Sequence, residues 1–194
     1  MNENVSSLNG TPVRIADEDL LRSFLEGDED AFRELMDRYR DRVFRVAMRY
    51  LNGKNDVAED VTQQVFVKIF TSGNTFRGSG SFKSWLFTIT SNLAISEARR
   101  GKSYQKAVAA NAVSDVDSSN EDSETPTPAR SKKLREAISL LPQKQRTIVS
   151  LRIDAGLPFD EIAKIAGTSV NSAKVNYHHA AVSLKRLLLR EVIE

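Results

Sequence analysis

The chain has 194 residues, 40% of them hydrophobic and 28% charged, with a formal net charge of +2. That length fits one ordinary domain or two small ones, and no apolar run approaches the roughly 18 residues a spanning helix needs, so no membrane insertion is expected. Cysteine is absent and His178 and His179 are the only histidines, which excludes a disulfide framework and a Cys/His zinc site. No metal and no cofactor are expected.

Residues 1–16 are polar and lack the basic and apolar regions of a secretory leader, which predicts a disordered N-terminal tail and a cytoplasmic location. From residue 17 the pattern becomes helical. The carboxylates of Asp17, Glu18 and Asp19, and of Asp28, Glu29 and Asp30, read as charges at helix N-termini. Phe32, Leu35, Tyr39, Val43, Val46 and Tyr50 recur at steps of three and four, the period of an amphipathic helix. After the turn at residues 52–55, Asp56 with Glu59 three positions on predicts an Asp-headed capping box. The helix it opens has the apolar stripe Val57, Val61, Val65 and Ile69. Gly73, Gly78 and Gly80 mark an irregular loop. A third helix is predicted from Phe82 through Trp85, Leu86, Ile89 and Leu93 to Arg99 and Arg100. Trp85, surrounded by these apolar residues, reads as core rather than as a stacking platform.

Residues 102–131 lose helical periodicity and become rich in Asp, Ser, Glu, Thr and Pro. Such a stretch buries too little apolar surface to offset the entropy of ordering it, so it reads as a flexible acidic linker. It separates a helical domain at residues 17–101 from a second at residues 132–194, which carries the surplus of Lys and Arg and therefore suits an anionic partner. No strand alternation is visible, so the fold class is all-α, two small helical domains.

The sharpest local signal is Phe159-Asp-Glu-Ile-Ala-Lys-Ile-Ala-Gly-Thr-Ser-Val-Asn-Ser-Ala-Lys-Val-Asn-Tyr177. A helix-turn-helix needs a small residue where its helices cross and one tolerant of positive φ in its turn; Ala163 and Gly167 supply them. Thr168 or Ser169 can cap the second helix, whose predicted buried face is Val170, Ala173, Tyr177, Ala180, Leu184 and Leu187. Its other face offers Ser169, Asn171, Ser172, Lys174, Val175, Asn176, His178, His179, Lys185 and Arg186. Polar side chains there suit base edges near the helix start and phosphates further along. Segments at residues 134–141 and 147–153, separated by Pro142, complete a four-helix module.

These residues resemble a known family. Leu134-Arg-Glu-Ala-Ile-Ser-Leu-Leu-Pro-Gln-Lys-Gln-Arg146 with the hairpin that follows is similar to region 4 of the extracytoplasmic-function sigma factors, of the sigma-70 family. Ala58-Glu-Asp-Val-Thr-Gln-Gln-Val-Phe66 resembles their region 2.2, and Phe76-Arg-Gly-Ser-Gly-Ser-Phe-Lys-Ser-Trp-Leu-Phe-Thr-Ile-Thr-Ser-Asn-Leu-Ala94 resembles regions 2.3 and 2.4. The resemblance implies a non-enzymatic sigma factor with core RNA polymerase and promoter DNA as partners, controlled by an anti-sigma factor. The N-terminal domain would bind the −10 element and assist strand opening, and the C-terminal domain would bind the −35 element as duplex. Asp60, Gln63 and Gln64 are implied contacts to the polymerase clamp. Because an extruded base must be enclosed and read on its pairing edge, Arg77, Ser84, Asn92 and Ser96 are implied around it, with Arg99, Arg100 and Lys102 on backbone phosphates. The linker carboxylates Asp115, Asp117, Glu121, Asp122 and Glu124 suit either a tether or a mimic of nucleic-acid charge. Two departures stand out: Gln64 replaces the usual acidic residue, and Val175-Asn-Tyr-His178 replaces the commoner Ser-Arg-Leu-His, so the promoter sequence does not carry over. Two other classes compete. One is an operator-binding helix-turn-helix regulator, and the other is a nuclease, for which a metal-binding carboxylate cluster or a nucleophile arrangement is missing.

Overall fold

The computed structural model describes residues 14–78, 80–111 and 129–190, and the acidic carboxylates at 115–124 fall outside it. Among the described residues every regular element is helical: α1 (Asp17–Leu25), α2 (Glu29–Tyr50), α3 (Asn55–Ser72), a 3-10 turn at Gly73–Thr75, α4 (Phe82–Asn111), α5 (Ala129–Ser139), α6 (Gln143–Ile153), α7 (Phe159–Ile165) and α8 (Val170–Arg190).

The N-terminal helices pack around the stripe that the periodicity marks. Leu35, Tyr39, Val43, Val46 and Tyr50 of α2 are buried against Val61, Val65 and Ile69 of α3 and Phe82, Leu86 and Phe87 of α4. Caps set the helix starts. Asp28 accepts from the amides of Asp30 and Ala31, satisfying donors that the first turn of α2 leaves unpaired. The capping box expected at Asp56 does not form: α3 begins two residues earlier, its N-cap is Lys54 without a side-chain bond, and Glu59 instead accepts from the Asn55 side chain. The acidic residues of α1 also act beyond their own helix. Asp17 receives Arg38 at 2.9 Å and the Tyr39 hydroxyl, while Glu18 accepts the Phe82 amide at 2.7 Å and so caps α4 from across the bundle. α4 runs on to Asn111, past the expected end near Arg100 and into the stretch read as linker; alanines at 107, 109 and 110 favour that continuation.

In the C-terminal module α5, α6 and α8 enclose Ala137, Ile138, Leu141, Val149, Ala180 and Leu184. The other buried apolar residues of this module, Ile148, Leu151, Ala155, Leu157, Ile162, Ala163 and Ala173, are continuous with the core of the N-terminal helices. The junction is α6 on α2 and α7 on α4.

Candidate nucleic-acid interface

The α7–α8 pair forms the helix-turn-helix. Ala163 is 4% exposed at the crossing, and Gly167 has φ +59°, the left-handed conformation that ends α7 tightly. Ser169 caps α8, its hydroxyl accepting the Ser172 amide at 3.1 Å. Ala173, Ala180 and Leu184 are buried and Tyr177 packs edge-on against Phe159, with ring centroids 5.5 Å apart. Val170, expected in the core, is instead 40% exposed. As the first residue of the helix it precedes the turn that Ala173 anchors, and its side chain joins the outer face.

That outer face presents Ser169, Asn171, Lys174, Val175, His178, His179 and Lys185, all exposed, with Ser172 and Asn176 half-buried. The Asn176 amide nitrogen donates to the Ser172 carbonyl at 2.8 Å and lies 3.3 Å from its hydroxyl. Its carbonyl oxygen therefore remains the free group toward a ligand, and bidentate contact with adenine requires the side chain to turn.

In the N-terminal helices, Arg77 and Gly78, with φ +67°, form the exposed loop before α4. Ser81 closes that loop: its hydroxyl accepts the Ser84 amide at 3.1 Å. Ser84, Asn92 and Ser96 follow at multiples of four along α4 and share one stripe; Ser84 is half-buried, and Asn92 and Ser96 are exposed. The stripe leads to Arg99, Arg100 and Lys102, which line a groove of about 590 Å³ with Lys54, Tyr50 and Tyr104. Arg100 pairs with Glu97 at 2.9 Å, leaving Arg99 and Lys102 as the less committed cations of the three. Trp85 packs on Phe76 and Phe82 at 5.5 and 5.9 Å, a core contact.

Asp60, Gln63 and Gln64 lie together on the exposed face of α3, opposite buried Val61 and Val65. Periodicity missed that this face continues into Val67 and Phe70, which are 61% and 56% exposed. A ridge of polar then apolar groups on one helix suits a protein partner better than a phosphate backbone.

Two sets of matches fit this geometry. Sigma-70 region 2 matches residues 35–104, and Sigma-70 region 4 matches residues 131–184. The ECF RNA polymerase sigma-E factor of Haemophilus influenzae is 30% identical over 170 residues, covering 83% of this chain and 89% of that protein. The chain belongs to the extracytoplasmic-function sigma factors of the sigma-70 family. Another relative, the ECF RNA polymerase sigma factor SigW of Bacillus subtilis, is 28% identical over 185 residues, 87% of this chain and 94% of its own. Two solved structures share the fold. The sigma factor RpoE in complex with the anti-sigma factor NepR from Bartonella quintana has a TM-score of 0.65 at 22% identity, covering 81% of this chain and 96% of that one. CnrH in complex with the cytosolic domain of CnrY has a TM-score of 0.63 at 21% identity, covering 90% and 97%. This sigma factor thus acts with RNA polymerase in transcription initiation, and the operator-binding regulator is not favoured. Among the described residues no helix is long and apolar enough to cross a membrane.

Proposed function

We propose that this sigma factor docks on core RNA polymerase through Asp60, Gln63 and Gln64 and reads a promoter with two separate surfaces. The C-terminal domain reads −35 duplex. Asn171, Ser172, Lys174 and Asn176 lie at the start of α8 where base edges are in reach, and His178, His179 and Lys185 lie further along toward phosphates. The N-terminal domain reads the −10 element in its opened form. Arg77, Ser84, Asn92 and Ser96 surround the extruded base, and Arg99, Arg100 and Lys102 hold the strand. Polymerase supplies the bond-forming chemistry, so the factor itself is no enzyme, and it works in the cytoplasm.

The observation that carries this reading is the pairing of two exposed polar surfaces with different chemistry. A Ser169-capped helix presents amide, hydroxyl and cationic groups to a duplex, and a short glycine-bearing loop leads into a hydroxyl and amide stripe ending in arginines, which suits a single strand. Control by an anti-sigma factor belongs to the same reading, supported by the sigma factor RpoE, which shares this fold and was solved in complex with the anti-sigma factor NepR.

Run-off transcription with purified core polymerase on a library of genomic fragments tests it. New start sites that require this protein, and that weaken when Lys174 or Arg77 is replaced by alanine, are the expected result. No stimulation, together with tight duplex binding by the protein alone, would overturn it.

A further inference from the structure

The outer face of α8 carries a side chain whose chemistry the hydrogen-bonding groups around it do not share. Val175 is 45% exposed. At 3.6 residues per turn it lies about 140–180° round the helix from Ala173, Ala180 and Leu184, which anchor α8 in its module. It therefore stands at the centre of the outward face. Asn171, His178 and His179 lie within about 60° of it and are all exposed. Val175 is thus no edge of an apolar patch. The next large apolar residue exposed along the same line, Val182, is about two turns on.

The polar neighbours on its flank are engaged within the helix. Asn176 donates to the Ser172 carbonyl at 2.8 Å and lies 3.3 Å from its hydroxyl, while the Ser172 amide is taken by the Ser169 cap. Ser172 and Asn176 are also half-buried. In the first two turns of α8, Asn171 and Val175 are the side chains that point most directly outward, one polar and one apolar.

Every base pair shows donors and acceptors in the major groove, but the methyl group there belongs to thymine alone. Val175 has neither donor nor acceptor. Packed on the edge of guanine, adenine or cytosine, it would cover polar atoms and leave them without partners, which is unfavourable. Packed on thymine, it takes its own methyls and the C5 methyl out of water together. Val182 lies about 10 Å further along the helix, toward the end that faces phosphates, and has no such partner in reach.

We propose that Val175 is a specificity-determining residue of the −35 reader: it packs on the C5 methyl of one thymine and selects that base. This role rests on the promoter-reading function above and names a base preference that the polar groups of α8 do not supply.

Deoxyuridine lacks only that methyl, so it removes the contact without altering a hydrogen bond. Run-off transcription with core polymerase first supplies promoters that depend on this protein. Duplexes spanning their −35 elements are then made with each thymine, on either strand, replaced in turn by deoxyuridine, and holoenzyme affinity is measured by fluorescence anisotropy. The wild type loses about fourfold at one thymine position, the worth of one buried methyl, and little at the others. Val175→Ser loses about as much on the unmodified duplex and is then indifferent to deoxyuridine at that position, so the two losses do not add. Val182→Ser keeps the wild-type response. If Val175→Ser fails to fold, Val175→Thr, of the same shape, carries the same comparison with a hydroxyl in place of one methyl. A scan with no sensitive thymine, a −35 element without thymine, or sensitivity that persists in the Val175 variant would each overturn this role and leave the promoter reading intact. Absence of any start site that depends on the protein would overturn the promoter reading, and this role with it.

Discussion

Gly167 offers a sharp test of the reasoning behind the helix-turn-helix. A Cβ built at this residue meets no atom within 4 Å, so replacing it by alanine produces no clash. The cost is conformational alone. At φ +59° an L-residue loses about 1–2 kcal/mol relative to glycine, and the alanine chain recovers about 0.4–1 kcal/mol by having less freedom to lose on folding. Gly167→Ala should therefore destabilise by about 1 kcal/mol, and Gly167→Asn by less, because asparagine tolerates this conformation. Thermal unfolding followed by circular dichroism reads both. A fall in Tm of about 4–8 °C for alanine implies that the C-terminal module melts by itself, while about 2–4 °C implies that it melts with the rest. A loss from alanine of several kcal/mol, or an asparagine variant no better than the alanine one, would refute the argument from φ.

Lys185→Ala should weaken holoenzyme binding to −35 duplex for all sequences alike and lower the slope of log affinity against log salt by about 1, measured by fluorescence anisotropy across a salt series. Asp60→Ala, Gln63→Ala and Gln64→Ala should leave the melting temperature nearly unchanged, since these side chains are exposed, while reducing co-migration with core polymerase. Asp17→Ala removes one of the partners of Arg38, which keeps Glu34 and the Ile15 carbonyl, and the partner of the Tyr39 hydroxyl; a loss of about 1–2 kcal/mol in urea unfolding is expected. At alkaline pH, burial first and then the bond to Asp17 keep the Tyr39 phenol protonated beyond its ordinary range, and burial does the same for Tyr50. Both phenols are held neutral when folded, so their contribution is full below about pH 10, the unfolded value, and falls as pH rises beyond it. Tyr39→Phe and Tyr50→Phe should flatten that alkaline decline in denaturation experiments.

Much of each helix was legible because burial on one face repeats at 3.6 residues, and Leu35 through Tyr50, or Ala173 through Leu184, show the repeat plainly. The helix-turn-helix was readable down to Gly167 and to a cap at Thr168 or Ser169, because its turn demands particular residue types, and the structure settles the cap on Ser169. Where local rules mislead, a neighbour in space decides. Glu59 leaves its capping box for Asn55, and Glu18 caps α4 from across the bundle rather than serving its own helix. The pairing of Arg49 with Asp154 spans 105 positions, and no periodicity encodes which carboxylate meets which arginine at that separation. The exposed Val67 and Phe70 carried a signal in hindsight, since they continue the face of Asp60, Gln63 and Gln64 at helical spacing, but the count of apolar residues on α3 reads equally as a wider core.

The way the two domains share apolar residues sets how the interface can behave. The C-terminal module keeps Ile138, Leu141, Val149 and Leu184 in a cluster of its own, enough to hold α5, α6 and α8 together when α2 is withdrawn. Ile148, Leu151 and Ile162 are fully buried and belong to the cluster that includes the N-terminal helices, so the two domains share apolar contact that favours their association. An opposing term, released when they separate, lies in the polar layer around it. Arg146 regains water at its unpaired Nε, and Arg45, Arg49 and Asp154 exchange long contacts of 3.4–3.7 Å for hydration. Arg45 is half-exposed, so its long contact to Asp154 is worth little, whereas Arg49 and Asp154 are both largely covered. The shared apolar cluster favours the contact between the two domains, and the unpaired Nε of Arg146 opposes it.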